Sequence, residues 1–374
     1  MVGSALEPTR STYVERNVRR AALPIHVYDF FCGCGGTSAG FRAAGLEIRV
    51  GIDIDPDAQR TFEANFPEAN FLRQDIYNLA VEALDPYIVR ASDTINLFCC
   101  CAPCQPFSRQ NKTPEKRKPE AGLLYEFSNF VENYLPEVIF LENVPGIQNV
   151  DDNNGPFGDF VSFLEHLDYC VNYDIVESKN YGVPQQRRRL ILVASRFGLI
   201  ALPAETHGPG TAHPSYSTVG DWISRFPPIA AGETHPTVLN HRAARLSERN
   251  LERIRATPLG GGRFDWPEEL WLRCHLGEYH GHTDVYGRMH LDRPASGLTT
   301  RCISLSNGRF GHPEQDRAIS VREAASIQTF SDDFVFFGNL NSMARQIGNA
   351  VPVTLAQVFG QMFLEHYMTH LSQE

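Results

Sequence analysis

The sequence predicts an α/β fold, a doubly wound and largely parallel sheet followed by a second, smaller and irregular domain. Three observations carry this. Apolar strand-like runs alternate with helically spaced stretches over roughly 170 residues, the pattern of βαβ units. The first run ends in a glycine-rich turn and the second in acids, as at the ligand-binding edge of such sheets. After Phe197 the chain turns rich in Pro, Gly, His and Thr, and its periodicity fades.

In chain order, residues 1–24 read as a loosely attached arm, helical through Tyr13 to Ala22, with no assignable chemistry. Ile25 to Phe31 is an apolar strand running into Cys32-Gly33-Cys34-Gly35-Gly36, with a helix from Thr37 to Ala44. Ile48 to Asp55 is a second strand ending in acids, and Pro56 to Asn65 a helix opened by proline at its first turn. Asn70 to Arg73 leads to Asp75. Thr94–Cys101 and Val138–Leu141 are buried strands, and Tyr169–Ser178 and Arg189–Ser195 two more with an arginine-rich turn between them. An arginine-bearing helix is expected from Asn240 to Ala256. Regular structure returns at Val321–Gln328 and in a last helix with Val351, Leu355, Val358, Phe359, Phe363 and Leu364 at helical spacing.

At 374 residues the chain accommodates both domains. No apolar run suggests a membrane span and no secretory signal is seen at the start, so a cytoplasmic location is expected. The net charge of −10 excludes a chain coated in basic residues but not a local basic face. Arg109–Lys118 carries five basic residues and one Glu, and Arg187-Arg188-Arg189 forms a second cluster. Nine cysteines, an odd number, point to reduced thiols rather than a disulfide framework.

The glycine turn departs from the dinucleotide fingerprint: Gly33 and Gly35 fit, but Ser38 stands where the third glycine belongs. Asp53, ending the second strand, suits a ribose diol, and Asp75 an adenine amino group. A nucleoside-bearing ligand follows, with NAD and S-adenosylmethionine both open at this point. Cys101-x-x-Cys104 admits a redox dithiol, a zinc site or a lone nucleophile. Zinc needs four ligands, and no second cysteine pair or paired histidine stands at metal spacing, so no metal is expected. Cys99 and Cys101 share one strand face and Cys100 takes the other, as packing thiols. Cys104 lies beyond the strand, between Pro103 and Gln105.

Asp29 to Gly36, Pro103-Cys104-Gln105-Pro106-Phe107-Ser108, Glu142-Asn143-Val144, Gln185-Gln186-Arg187-Arg188-Arg189 and Gln346-Ile347-Gly348-Asn349-Ala350-Val351-Pro352 occur in the order and spacing of the C5-cytosine DNA methyltransferases. The chain resembles that family from about Val27 to its end, except near residues 200–290. The resemblance implies a Rossmann-like, S-adenosylmethionine-dependent catalytic domain at 25–205, completed by 341–374, and a target-recognition domain with hinge at 206–340. It implies catalysis by Cys104, Glu142, Arg187 and Arg189. It implies a cofactor pocket of Phe31, Gly33, Gly35, Asp53, Asp75, Asn349 and Val351. DNA contacts are expected from Gln105, Ser108, Arg109, Lys112, Arg242, Arg245 and Arg249, with Arg253, Arg255 and Arg263 as further candidates. Double-stranded DNA is the expected partner, with a restriction endonuclease sharing the same sequence and a monomeric enzyme. A catalytically dead binding module would have a damaged catalytic set, and RNA cytosine methylation is a second enzymatic reading. Cys101, Gly297 and Ser326 depart from the family's usual glycine, threonine and arginine.

Overall fold

The computed structural model describes residues 24–91, 94–103, 118–148, 155–273 and 283–371. The expected N-terminal arm, and the segment carrying Cys104, Gln105, Ser108, Arg109 and Lys112, lie outside these residues.

The sheet is built from β1 (Ile25–Phe30), β2 (Glu47–Asp53), β3 (Asn70–Arg73), β4 (Ile95–Cys100), β5 (Val138–Asn143), β6 (Cys170–Glu177) and a strand numbered β8 (Arg188–Ser195), because a two-residue strand β7 (Gln185–Gln186) precedes it. Its order is β3-β2-β1-β4-β5-β8-β6. The reversal on either side of β1 is the doubly wound arrangement. All neighbours pair in parallel except β8, which is antiparallel to both β5 and β6. Asn143 lies opposite Leu190 and Glu142 opposite Ile191. The start of β8 therefore reaches the edge where the parallel strands end.

Side chains alternate across a strand, and the sheet buries both faces. Val27, Leu97, Cys99 and Phe140 join one core cluster, and Tyr28, Phe98, Cys100 and Ile139 the other. The helices α1 (Gly36–Ala44), α2 (Pro56–Asn65), α3 (Lys118–Tyr134) and α4 (Pro156–His166) connect the strands. Phe127, Phe130, Phe157 and Phe160 of α3 and α4 cover the second face. The first is closed by α1 and by helices from the far end of the chain, α8 (Leu340–Asn349) and α9 (Val353–Leu371). The α8–α9 stretch is apolar and long enough to cross a membrane by composition. Its most apolar window is more than half buried in this core, which accounts for that composition.

The α1–α9 contact depends on small residues. A Cβ on Gly40 would collide with the Ala356 Cβ, the Val353 carbonyl oxygen and the Gln357 backbone nitrogen. Gly→Ala in a helix interior ordinarily gains about 0.8–1.0 kcal/mol. Here the backbone of α9 must move, and overpacking costs about 1–3 kcal/mol. Gly40→Ala is thus expected to lower stability by up to about 2 kcal/mol in urea denaturation; a gain would show that α9 gives way freely.

The stretch after β8 holds short helices α5 (Val219–Ile223) and α6 (Glu248–Ala256), strand β9 (Ala295–Ser296) and helix α7 (Val321–Ile327). It has a small core of its own, with Ile254, Trp266, Leu270, Tyr286, Leu305 and Ala318. The helix expected from Asn240 begins only at Glu248. Asn240 sits at φ 55, and both ring nitrogens of His241 are held, by the Ser320 hydroxyl and the Pro227 carbonyl, each at 2.8 Å. The arginine-rich turn is shorter than expected: the strand predicted from Arg189 already begins at Arg188.

Candidate active site

The strand ends gather the site. β1 leaves the sheet at Phe31, whose φ of 59 is a left-handed conformation that costs a bulky residue strain and marks functional turns. Gly33 follows at φ 51 and Gly35 at φ 88. A Cβ on Gly35 would lie 2.5 Å from the Phe66 ring, so only glycine lets the turn sit this close to α2. The Gly33 N–H donates to Asp53 Oδ2 at 2.9 Å, and the Asp55 N–H to Oδ1 at 2.9 Å. Burial pushes the Asp53 carboxyl up from its usual range, and these two donors pull it partly back. Each oxygen retains a lone pair for a further donor, as a diol would require. Asp75 is half-buried and caps the turn after β3 by accepting from the Tyr77 N–H at 3.2 Å.

Ile54 follows Asp53 and is 62% exposed. A large aliphatic side chain held in solvent at a strand end beside a polar pocket offers a flat apolar wall. Sequence reading passed over it because an Ile in an apolar strand reads as core. The C-terminal segment closes the other side. Val351 is buried, and a Cβ on Gly36 would sit 2.6 Å from its carbonyl oxygen, while Asn349 is exposed at the end of α8. Phe31, Gly33, Gly35, Asp53 and Val351 thus surround one turn.

At the end of β5, Glu142 is 6% exposed and its Oε1 lies 2.6 Å from Arg189 Nε. The contact is a charge pairing without an aligned N–H···O bond. Asn143 is buried and its Oδ1 accepts from the Val144 N–H at 2.9 Å, fixing the turn that follows. β4 ends beside this point, with Cys100 opposite Leu141, so the chain enters the segment carrying Cys104 next to Glu142.

Arg187 takes a different direction from Arg189. It is 4% exposed, and its Nη1 donates to the Leu298 and Gly348 carbonyls at 3.1 Å each, with Nη2 3.5 Å from that of Asn349. It fastens the C-terminal segment, whereas Arg189 pairs with Glu142.

Cys99 and Cys101 sit with Sγ atoms 3.9 Å apart, and together with Asp29 they place three ligand-type atoms within 4.8 Å of one another. Burial raises the Asp29 carboxyl to about 6 and the Cys99 thiol well above its ordinary value. The hydrogen bond from Cys99 lowers Cys101, but burial and the Glu142 and Asp29 charges outweigh it and push that thiol up. The two thiols retain their protons near neutrality, whereas Asp29 is largely ionised there and accepts from the Ser38 hydroxyl at 2.6 Å.

The arginines of the later stretch divide. Arg242, Arg245 and Arg249 are exposed, Arg249 pairing with Glu252 at 2.8 Å. Arg253 and Arg263 are corrected to structural roles, being 7% and 5% exposed. Arg253 donates to the Leu270 carbonyl at 3.0 Å, and Arg263 lies over the Phe264 ring.

Residues 25–364 match the model of the C-5 cytosine-specific DNA methylases. Type II methylase M.HgiDII of Herpetosiphon aurantiacus is 39% identical over 343 residues, covering 90% of this chain and 94% of that protein. Type II methyltransferase M1.HphI of Haemophilus parahaemolyticus is 33% identical over 340 residues, covering 90% and 86%. Among solved structures, a prophage-encoded putative DNA modification methyltransferase of E. coli superposes with a TM-score of 0.69 at 20% identity, covering 91% of this chain and 99% of that one. DNMT2 of Spodoptera frugiperda superposes at 0.59 and 16% identity, with 90% and 99% covered. At such identities these structures speak for the fold.

Proposed function

The chain belongs to the C-5 cytosine-specific DNA methylases and is a DNA cytosine methyltransferase; from that premise we propose how its residues divide the work. The observation that carries the reading is the Glu142–Arg189 pair, set where β4 delivers the chain toward Cys104.

S-adenosylmethionine, when bound, supplies an electrophilic methyl group. The turn fits it: Asp53 keeps acceptor capacity for a ribose, while Phe31 and Ile54 offer apolar faces to an adenine. Gly33, Gly35, Asp75, Asn349 and Val351 complete the pocket. Residues 25–205 with 341–374 form the catalytic part, and 206–340 grip duplex DNA, with Arg242, Arg245 and Arg249 on phosphate or base edges. Gln105, Ser108, Arg109 and Lys112 close over the target nucleotide.

A cytosine within the duplex is out of reach, so the enzyme flips it out at a cost of about a few kcal/mol. The Cys104 thiolate adds to C6, forming a C–S bond and leaving an enamine whose C5 is nucleophilic. Glu142 shares a proton with N3 as charge builds there, and Arg189 turns from Glu142 to the O2 of the base. After methylation a base removes the C5 proton, and the C–S bond breaks to return the thiolate. The same sequence would be the target of a partner restriction endonuclease, and the enzyme acts as a monomer.

The test is transfer of labelled methyl to duplex DNA, with bisulfite sequencing of DNA from expressing cells to recover the site. A duplex carrying 5-fluorocytosine at that position should trap a covalent adduct; no adduct on the recovered site would overturn the covalent route. Glu142→Gln keeps the shape but holds no transferable proton. Its methyl transfer rate should fall by about 10²–10⁴-fold with DNA affinity within about threefold. A rate within threefold of wild type would remove Glu142 from the proton path.

A further inference from the structure

Two buried glutamines link the parts of the chain that the proposed function assigns to DNA and to cofactor. Gln185 and Gln328 are both 0% exposed. The hydrogen-bond inventory forces their orientation. Gln328 Nε2 faces only acceptors, the Ile347 carbonyl at 2.6 Å and the Ala350 carbonyl at 3.0 Å. Its Oε1 must therefore face Gln185, which donates from Nε2 at 2.5 Å, and also approaches the Ile327 carbonyl at 3.3 Å. That leaves Gln185 Oε1 to accept from the Leu298 N–H at 3.1 Å.

The pair occupies a junction. Helix ends leave carbonyls without intrahelical partners. At the end of α8, Gln328 holds those of Ile347 and Ala350, while Arg187 holds those of Gly348 and Asn349. Asn349 and Val351, assigned to the cofactor pocket, are carried by this segment. On the other side, Leu298 is clamped through its N–H by Gln185 and through its carbonyl by Arg187. Leu298 lies two residues beyond the end of β9, which pairs with β7. Gln328 is also the C-cap of α7, whose seven residues are all buried. The other end of α7 is fixed by a capping box in which Ser320 and Glu323 exchange bonds. Glu323 in turn is gripped by Arg317. A short rigid helix thus runs from the core of the 206–340 stretch to the amide pair.

We infer that the Gln185–Gln328 pair is a positioning element that couples DNA engagement by residues 206–340 to cofactor affinity at Asn349 and Val351. It rests on the functional reading above. A displacement of α7 or β9 on DNA binding reaches the α8 carbonyls through the direct hydrogen bonds of the Gln185 and Gln328 amides.

The test is linkage. S-adenosylhomocysteine is titrated calorimetrically into the whole enzyme, with and without a saturating duplex carrying the site recovered by bisulfite sequencing. In wild type the duplex should tighten S-adenosylhomocysteine by about fivefold or more, and S-adenosylhomocysteine should tighten the duplex by the same factor. Gln328→Met and Gln185→Met keep the volume but break the chain of amides. Each should bring the factor below about twofold, while affinity for S-adenosylhomocysteine alone stays within about threefold. A merely structural role would lower thermal stability and leave the factor intact. If either Met variant fails to fold, Gln328→Glu reads the same quantity, because it still accepts from Gln185 but cannot donate to Ile347 and Ala350. A wild-type factor near one, or variants that keep the wild-type factor, overturns the inference. Wild-type protein that binds neither duplex nor S-adenosylhomocysteine instead overturns the functional reading.

Discussion

Cys104→Ser is expected to lower methyl transfer by about 10⁴-fold or more while changing S-adenosylhomocysteine affinity by less than about twofold. A thiol has an ordinary pKa near 8.5, so a few per cent is thiolate at neutral pH, and sulfur is intrinsically nucleophilic. A serine hydroxyl keeps its proton at neutral pH and is a far weaker nucleophile than a thiolate. The cofactor turn is held together by β1, β2 and the α8–α9 junction, through bonds and packing among the described residues. Labelled methyl transfer and calorimetry on the same preparation separate the two effects. A serine variant retaining more than about one per cent of the wild-type rate would exclude Cys104 as the nucleophile.

Glu323→Ala is expected to cost about 3–5 kcal/mol of stability, read as a shift in the urea midpoint. Arg317 is 0% exposed and meets both Glu323 oxygens at 2.7 Å. Removing the carboxylate leaves a buried guanidinium with a charge and no counter-charge. Replacing both partners by apolar residues, as in Arg317→Met with Glu323→Leu, should be milder than the single change, because no unpaired charge is left behind. A single variant within about 1 kcal/mol of wild type would mean that water reaches Arg317.

This cluster also sets an acid limit. His312 Nδ1 accepts from the Glu314 and Gln315 N–H groups at 3.1 and 3.0 Å, which places the ring proton on Nε2, facing Glu323. Burial lowers His312 from 6.5 to about 4, with the Arg317 and Arg288 charges adding to it against Glu323. Between those values the unfolded chain binds a proton that the folded chain refuses, so stability falls as pH drops from about 6.5 toward 4. Burial would raise the Glu323 carboxyl, but the Arg317 bond and charge outweigh it and hold it low. That contribution is present above its ordinary range and is lost as pH falls through the folded value, with the same sign.

Much of the sheet was legible because its strands carry simple signals. Ile25 to Phe30 and Ile95 to Cys100 are apolar runs closed by turns, and Gly33 and Gly35 announce a tight turn whose φ values of 51 and 88 favour glycine. The direction of β8 was not legible, since Leu190 to Ser195 reads the same whether it runs with β5 or against it. Only the pairing decides, and it is what puts Arg189 beside Glu142. The helix over-extended to Asn240 failed because tertiary bonds to His241 and Asn240 override the local pattern. Charge was the least readable property. Arg317 and Arg322 look like surface residues in a sequence, yet both are 0% exposed, and Gln185 and Gln328 give no sign of forming a pair. The nucleophile itself rests on its motif, since Cys104 lies outside the described residues.

The closure of α1 by α9 bears on how the protein is made. The two helices are separated by roughly 300 residues, so a ribosome adding about 5–20 residues per second needs about 15–60 s between them. Throughout that interval the small-residue face around Gly40 and the side of Phe41 that meets Phe363 lack their native cover. The nascent chain therefore carries an unfinished first layer until its last helix emerges. A messenger truncated before α9 should yield an aggregation-prone polypeptide rather than a partly active enzyme.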